Sequence, residues 1–218
     1  YGQIKAKEAM VHTEIDLPRQ PQMADKTITD NVPLPAMLMM WHSPVIFQEG
    51  DAEADVLSQV LTGRADAFLT KQLVYDQSLV QDVSVFQYSR GRGSVFIVYI
   101  DALEDTNLEQ VEGIVLKTLQ ELGDGTTSIE SSVLSAVINN WEMEFLWGLE
   151  DIQEKAETLQ RYNHYLGQPD YLVNDLARYQ NVTPEGIQSV INNYFTKEKM
   201  AKLIVMPEES DSEEGGAQ

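Results

Sequence analysis

The chain has 218 residues, 43% of them apolar, enough for one larger domain or two small ones. Its 35 acidic residues against 15 basic leave a formal charge of −20, which repels phosphate backbones and anionic lipid and argues against nucleic-acid binding. With no cysteine, disulfides, thiolate zinc sites and cysteine nucleophiles are excluded. The acidity reads as solubility through self-repulsion, with steering of cationic peptides as the functional alternative. No apolar run approaches the ~20 residues that span a bilayer. The chain starts at Tyr1 without a signal-peptide pattern, as a processed product or a piece of a longer protein would. Bacterial periplasm and cytoplasm both suit this composition.

Residues 1–7 (YGQIKAK) read as the end of an upstream element, and 8–32 as a linker with one short strand at 11–17. LPAMLMMWHSP (34–44) is an apolar run between prolines, which predicts a buried strand. A helix follows, with Asp51 as its N-cap, a stripe of Ala54, Val56, Leu57, Val60 and Leu61, and Gly63 as its stop. A second short helix is expected at 65–75. SLVQDVSVFQY and SVFIVYIDA, joined by SRGRG, predict a β-hairpin over 78–102. The apolar run from Val95 to Tyr99 predicts a strand covered on both faces.

The spacing of Leu108, Val111, Val115, Leu116 and Leu119 predicts a helix over 107–122. Thr127 and Glu130 have capping-box spacing ahead of a long helical region reaching Leu166. Another helix is expected at 171–179. Thr183 as cap with Pro184 at the first position starts a helix to about Phe195. MAKLIVMP (200–207) is a final strand, and the acidic residues from 208 onward read as a disordered tail. A hairpin followed by gathered helices predicts an α+β fold, a mostly antiparallel sheet with helices packed on one face.

Little in the sequence carries chemistry by itself. His12, His42 and His164 lack a second histidine within helical reach, and H-x-x-E-H is absent, so a resident metal site is not expected. Asp51 and Asp55 share a helix face; acids in a first turn are explained by the helix dipole before general acid–base work. SRGRGS lies between two strands and lacks the helix of a phosphate cradle, so Gly91 and Gly93 are expected to supply positive φ for a turn. Trp141 and Trp147 are six apart on different helix faces, which leaves one free to reach a second domain or a cavity.

Taken in order, these segments resemble the non-catalytic half of the pitrilysin/insulinase zinc peptidases, the processing-peptidase-like family. YGQIKAK resembles the close of a catalytic half. LPAMLMMWHSP is similar to the first strand of the second half. TKQLVYDQSLVQDVSVFQYS with GSVFIVYIDA is similar to its hairpin region. TTSIESSVLSAVINN, and then YLGQPDYLVNDLARYQNVTPEGIQSVINNYF with MAKLIVMP, resemble its later helices and last strand.

The resemblance covers about residues 33–207, and it implies a metallopeptidase-half (LuxS/processing-peptidase-like) architecture. Residues 1–32 would then be the end of a preceding half with the inter-half linker, and 208–218 an acidic tail. It also implies a zinc-less C-terminal domain that closes a chamber, helps hold polypeptide substrate and is inactive alone. Zinc is expected on the N-terminal catalytic half, whether that half is in the same chain or a separate subunit. Many second halves carry an Arg and, seven residues later, a Tyr that contact peptide. Val74 and Gln81 occupy those two positions here, and Gln81 retains one hydrogen-bonding group. A non-enzymatic assembly subunit of the same fold, or an unrelated acidic α+β binding module, are the alternatives.

Overall fold

The computed structural model describes residues 24–208. The expected strand at 11–17, the opening YGQIKAK and nearly all of the acidic tail lie outside the described residues.

The first strand comes from the stretch read as linker. Residues Ala24–Asp30 (β1) run parallel to the last strand, Ala201–Pro207 (β5), in register from Ala24 opposite Ala201 to Asp30 opposite Pro207. The segment is exposed and carries acids and threonines in place of an apolar alternation, which is why its pattern does not announce a strand. Lys202 of β5 holds it by an ion pair to Asp25 at 2.9 Å, and the same ammonium reaches Glu112 at 2.7 Å.

LPAMLMMW forms the central strand Ala36–Ser43 (β2), flanked on one side by β5 and on the other by Ser94–Ala102 (β4), both antiparallel. Val80–Tyr88 (β3) completes the order β1-β5-β2-β4-β3. Burial alternates along β4: Phe96, Val98 and Ile100 are fully buried, and Val95, Ile97 and Tyr99 are only half-covered. The expectation of two covered faces is thus corrected, since helices pack on one face alone.

Those helices are Asp51–Thr62 (α1), Leu108–Gly123 (α2), Ser131–Gly148 (α3), Ile152–Leu166 (α4), Leu172–Gln180 (α5) and Pro184–Tyr194 (α6). The core gathers the inward side chains of the sheet with α1, α2 and α6. Trp41 of β2 is 1% exposed. Its indole N–H donates to the Thr196 carbonyl at 2.8 Å, and Phe96 stacks on Phe195 with centroids 4.2 Å apart. The end of α6 is thereby fixed on the centre of the sheet.

Several local expectations shift. The cap of α1 is Gly50, at φ 91°, and Asp51 is the first helical residue. A Cβ at Gly50 would lie 2.9 Å from both Pro44 and Val190, so close approach and backbone sign both select glycine. The short helix after Gly63 is a π-helical turn over Thr70–Asp76, closed by the Gln77 N–H on the Gln72 carbonyl at 3.2 Å. Glu130, not Thr127, is the cap residue of α3, and it makes no side-chain cap bond.

The long helical region is two helices. Gly148 ends the first, and Asp151 caps the second by accepting from the Gln153 and Glu154 amides at 2.8 and 3.0 Å. Gly91 and Gly93 do not have positive φ. Gly91 is small for another reason: a Cβ there would meet the Tyr165 ring at 2.6 Å. Thr183 and Pro184 start α6 as expected, with the Thr183 hydroxyl accepting from the Gly186 amide at 3.1 Å.

Candidate functional site

The densest polar constellation forms where the start of α1 meets α4, α5 and the end of β3. Asp51, 2% exposed, accepts from four donors. The Phe47 amide and the Arg178 guanidinium reach one oxygen at 2.8 and 2.7 Å; the Gln87 amide at 2.8 Å and the Ser89 hydroxyl reach the other. The second arm of Arg178 donates to Asp175 at 2.7 Å, and Tyr162 donates to the other Asp175 oxygen at 2.8 Å. Tyr179 donates to Asp55 at 2.6 Å. The Phe47 ring lies 5.1 Å from the Arg178 guanidinium carbon, a cation–π contact. Phe47 itself sits at φ 63°, held there by its amide bond to Asp51.

Three aspartates thus surround one arginine. Burial pushes the Asp55 carboxyl up to about 7; the Tyr179 hydrogen bond opposes the shift and neighbouring Asp51 adds to it. Burial also pushes the Tyr179 phenol well up, helped by Asp55. Desolvation opposes the charge on Arg178, but Asp51 and Asp175 outweigh it and hold the guanidinium cationic. The dipole reading of Asp51 and Asp55 is therefore corrected. Both make tertiary bonds that tie α1 to α5, at the wall of a cavity of about 300 Å³. The partners stand up to 127 residues apart, so no local spacing discloses them.

Val74 lies on the π-helical turn, half-buried against the core. Gln81 is exposed at a β-bulge, where the register of β3 shifts between Val80 and Asp82. A left-handed Ser78, φ 47°, turns the chain between them. Neither belongs to the hub. His42 lies half-buried on the open sheet face beside Val95, and His164 packs edge-on to Tyr165 near the end of α4. His12 is outside the described residues. Among the described residues no group of three or more His, Asp and Glu side chains is arranged to hold a metal ion; the three aspartates around Arg178 are taken up by Arg178, Tyr162 and Tyr179, so the donors present do not fit a zinc site. No described helix is long and apolar enough to cross a membrane.

The open face of the sheet is apolar in rows. Phe86, Ile97 and Met40 lie side by side across three strands; Tyr88, Val95 and His42 form the next row. Phe86 and Tyr88 are 44% and 54% exposed, an uncovered aromatic edge beside the hairpin turn.

The chain is similar to known structures of this architecture. A protease from Helicobacter pylori shares 18% identity at a TM-score of 0.81, over 93% of this chain and 49% of that one. A peptidase M16 inactive domain from Pseudomonas fluorescens shares 15% at 0.76, over 92% and 47%. The ferredoxin protease FusC, solved with Arabidopsis ferredoxin, shares 14% at 0.67, over 91% and 22%. At these identities the likeness speaks for the fold. The chain spans about half the length of the first two. No curated protein matches significantly. The sequence profile of the peptidase M16 inactive domain matches residues 2–130, more than half of the chain. The chain belongs to the family of peptidase M16 inactive domains.

Proposed function

We propose that this chain is the zinc-less half of a zinc-dependent endopeptidase, closing a chamber around polypeptide substrates whose hydrolysis takes place on a separate catalytic half. The observation that carries the reading is the family membership joined to an open, apolar sheet face, the side from which an extended chain is accessible. In this reading Gln81, exposed on the bulge beside that face, donates a hydrogen bond to a bound peptide. Val74, turned against the core, contributes shape only. A structural neighbour solved in complex with ferredoxin, the ferredoxin protease FusC, is consistent with polypeptide as the ligand class. Zinc and the activation of water are assigned to the other half, which is the principal partner.

The test uses the purified chain with and without the catalytic half of its parent. The expected result is no hydrolysis by the chain alone and chelator-sensitive hydrolysis by the mixture. In that mixture Gln81→Ala raises KM about two- to tenfold and leaves kcat unchanged, the effect of one lost hydrogen bond. Chelator-sensitive activity of the chain alone overturns the reading.

The replacement of the family's Arg and Tyr by Val74 and Gln81 favours a second reading, an assembly subunit of the same fold. A parent in which the upstream half has lost H-x-x-E-H supports that alternative.

A further inference from the structure

Helix α4 leaves large apolar side chains exposed. Between α3 and α4 lies a groove of 880 Å³, and the wall that α4 gives it is mainly polar, with Gln153, Glu154, Glu157, Gln160 and Arg161. The residues of α4 that do not line this groove are Ile152, Lys155, Leu159, Tyr162, Asn163 and Leu166. Tyr162 is buried and anchors the helix through Asp175. Ile152, Leu159 and Leu166 follow at a spacing of seven and form one stripe on the side away from the groove. Ile152 is 85% exposed and Leu159 42%. Leu166 is half-buried next to the buried Tyr162, so the exposed part of the stripe is Ile152 and Leu159.

Charge distinguishes the stripe from the rest of the surface. In a chain with 35 acidic residues, both carboxylates of α4, Glu154 and Glu157, lie on the groove side. The other side carries none from within the helix, and Lys155 is its one ionised group. The same arm holds most of the exposed large apolar side chains: seven of the twelve fall within residues 143–173. An uncovered surface of this kind marks an interaction site. This fold fills 49% and 47% of the two chains of greater length that it matches, so such chains have room for a second body against it.

We infer that the exposed apolar stripe of α4, centred on Ile152 and Leu159, is the surface by which this domain docks on an apolar face of the catalytic half of its parent. The inference rests on the function proposed above and adds the element that makes the contact. A second copy of the chain is the less favoured occupant, because two bodies of charge −20 repel each other.

The experiment titrates the catalytic half with the chain by calorimetry and follows the mass of the chain alone by light scattering. Ile152→Glu/Leu159→Glu is expected to weaken binding at least tenfold with an unchanged circular dichroism spectrum. Glu154→Gln/Glu157→Gln, on the groove side, is expected to leave affinity within twofold. Should the double glutamate variant lose helicity, Ile152→Ser, at a position already exposed, serves in its place with an expected loss of threefold or more. Unchanged affinity in the stripe variants overturns the docking surface. A dimer of the chain that the same variants dissociate overturns it in favour of self-association. Chelator-sensitive hydrolysis in the mixture is scored separately: with the activity present and the stripe variants silent, the docking surface fails and the peptidase reading stands.

Discussion

Arg178 is the residue on which the helical layer depends. Among the described residues it is the only cation bonded to Asp51 and Asp175, which are 2% and 3% exposed, and it bridges them across α1 and α5. Removing it strands two buried carboxylates, which costs more than the bonds themselves contribute. Arg178→Ala is expected to lower stability by about 3–5 kcal/mol in urea unfolding. Arg178→Lys is expected to restore only part of this, since one ammonium cannot reproduce the two-armed fork.

Asp55 behaves differently. Burial holds its carboxyl at about 7 against 3.8 for a free side chain, so between those values the folded chain binds a proton that the unfolded chain does not. The resulting stabilisation is complete below about pH 4 and lost as pH rises through 7. Asp55→Asn keeps an acceptor for Tyr179 and removes the titration. Between about pH 5 and 8 the thermal midpoint of the wild type should fall more steeply than that of the variant. Parallel curves would show that Asp55 ionises normally.

Among the elements, helix ends separate what local sequence specifies from what it does not. Thr183 caps α6 with a bond at 3.1 Å, and Thr183→Ala is expected to cost about 1 kcal/mol. Thr127 is the same residue type and has capping-box spacing to Glu130, yet α3 begins four residues later, at Ser131. Thr127→Ala should therefore change stability by less than about 0.5 kcal/mol. Both are read from unfolding curves at one pH. The difference has a physical basis: Pro184 fixes φ at the start of α6, and Thr127 has no such neighbour to set its backbone. The α3–α4 break was missed for a related reason. Apolar spacing continues through Leu149 and Ile152, and only the short Gly148–Asp151 turn, with Asp151 as cap, reveals two helices.

For the molecule as a whole, the sheet divides two environments. Its inner face and helices form the core, and its outer face shows apolar rows that the described residues leave uncovered. The peptidase-half reading and the docking stripe on α4 both concern surfaces of this second kind, which is why the two-component assays belong at this scale.

The sequence by itself determined the α+β class, the hairpin, four of the six helices with α3 and α4 as one helical region, and the family, because periodicity and turn residues are local properties. Tertiary structure alone decided the parallel pairing of β1 with β5, the gathering of Asp51, Asp55, Asp175 and Arg178, and the exposure of Ile152 and Leu159 on α4. Each of these depends on which distant surface an element meets, and spacing within a helix or strand fixes a face without fixing what that face touches.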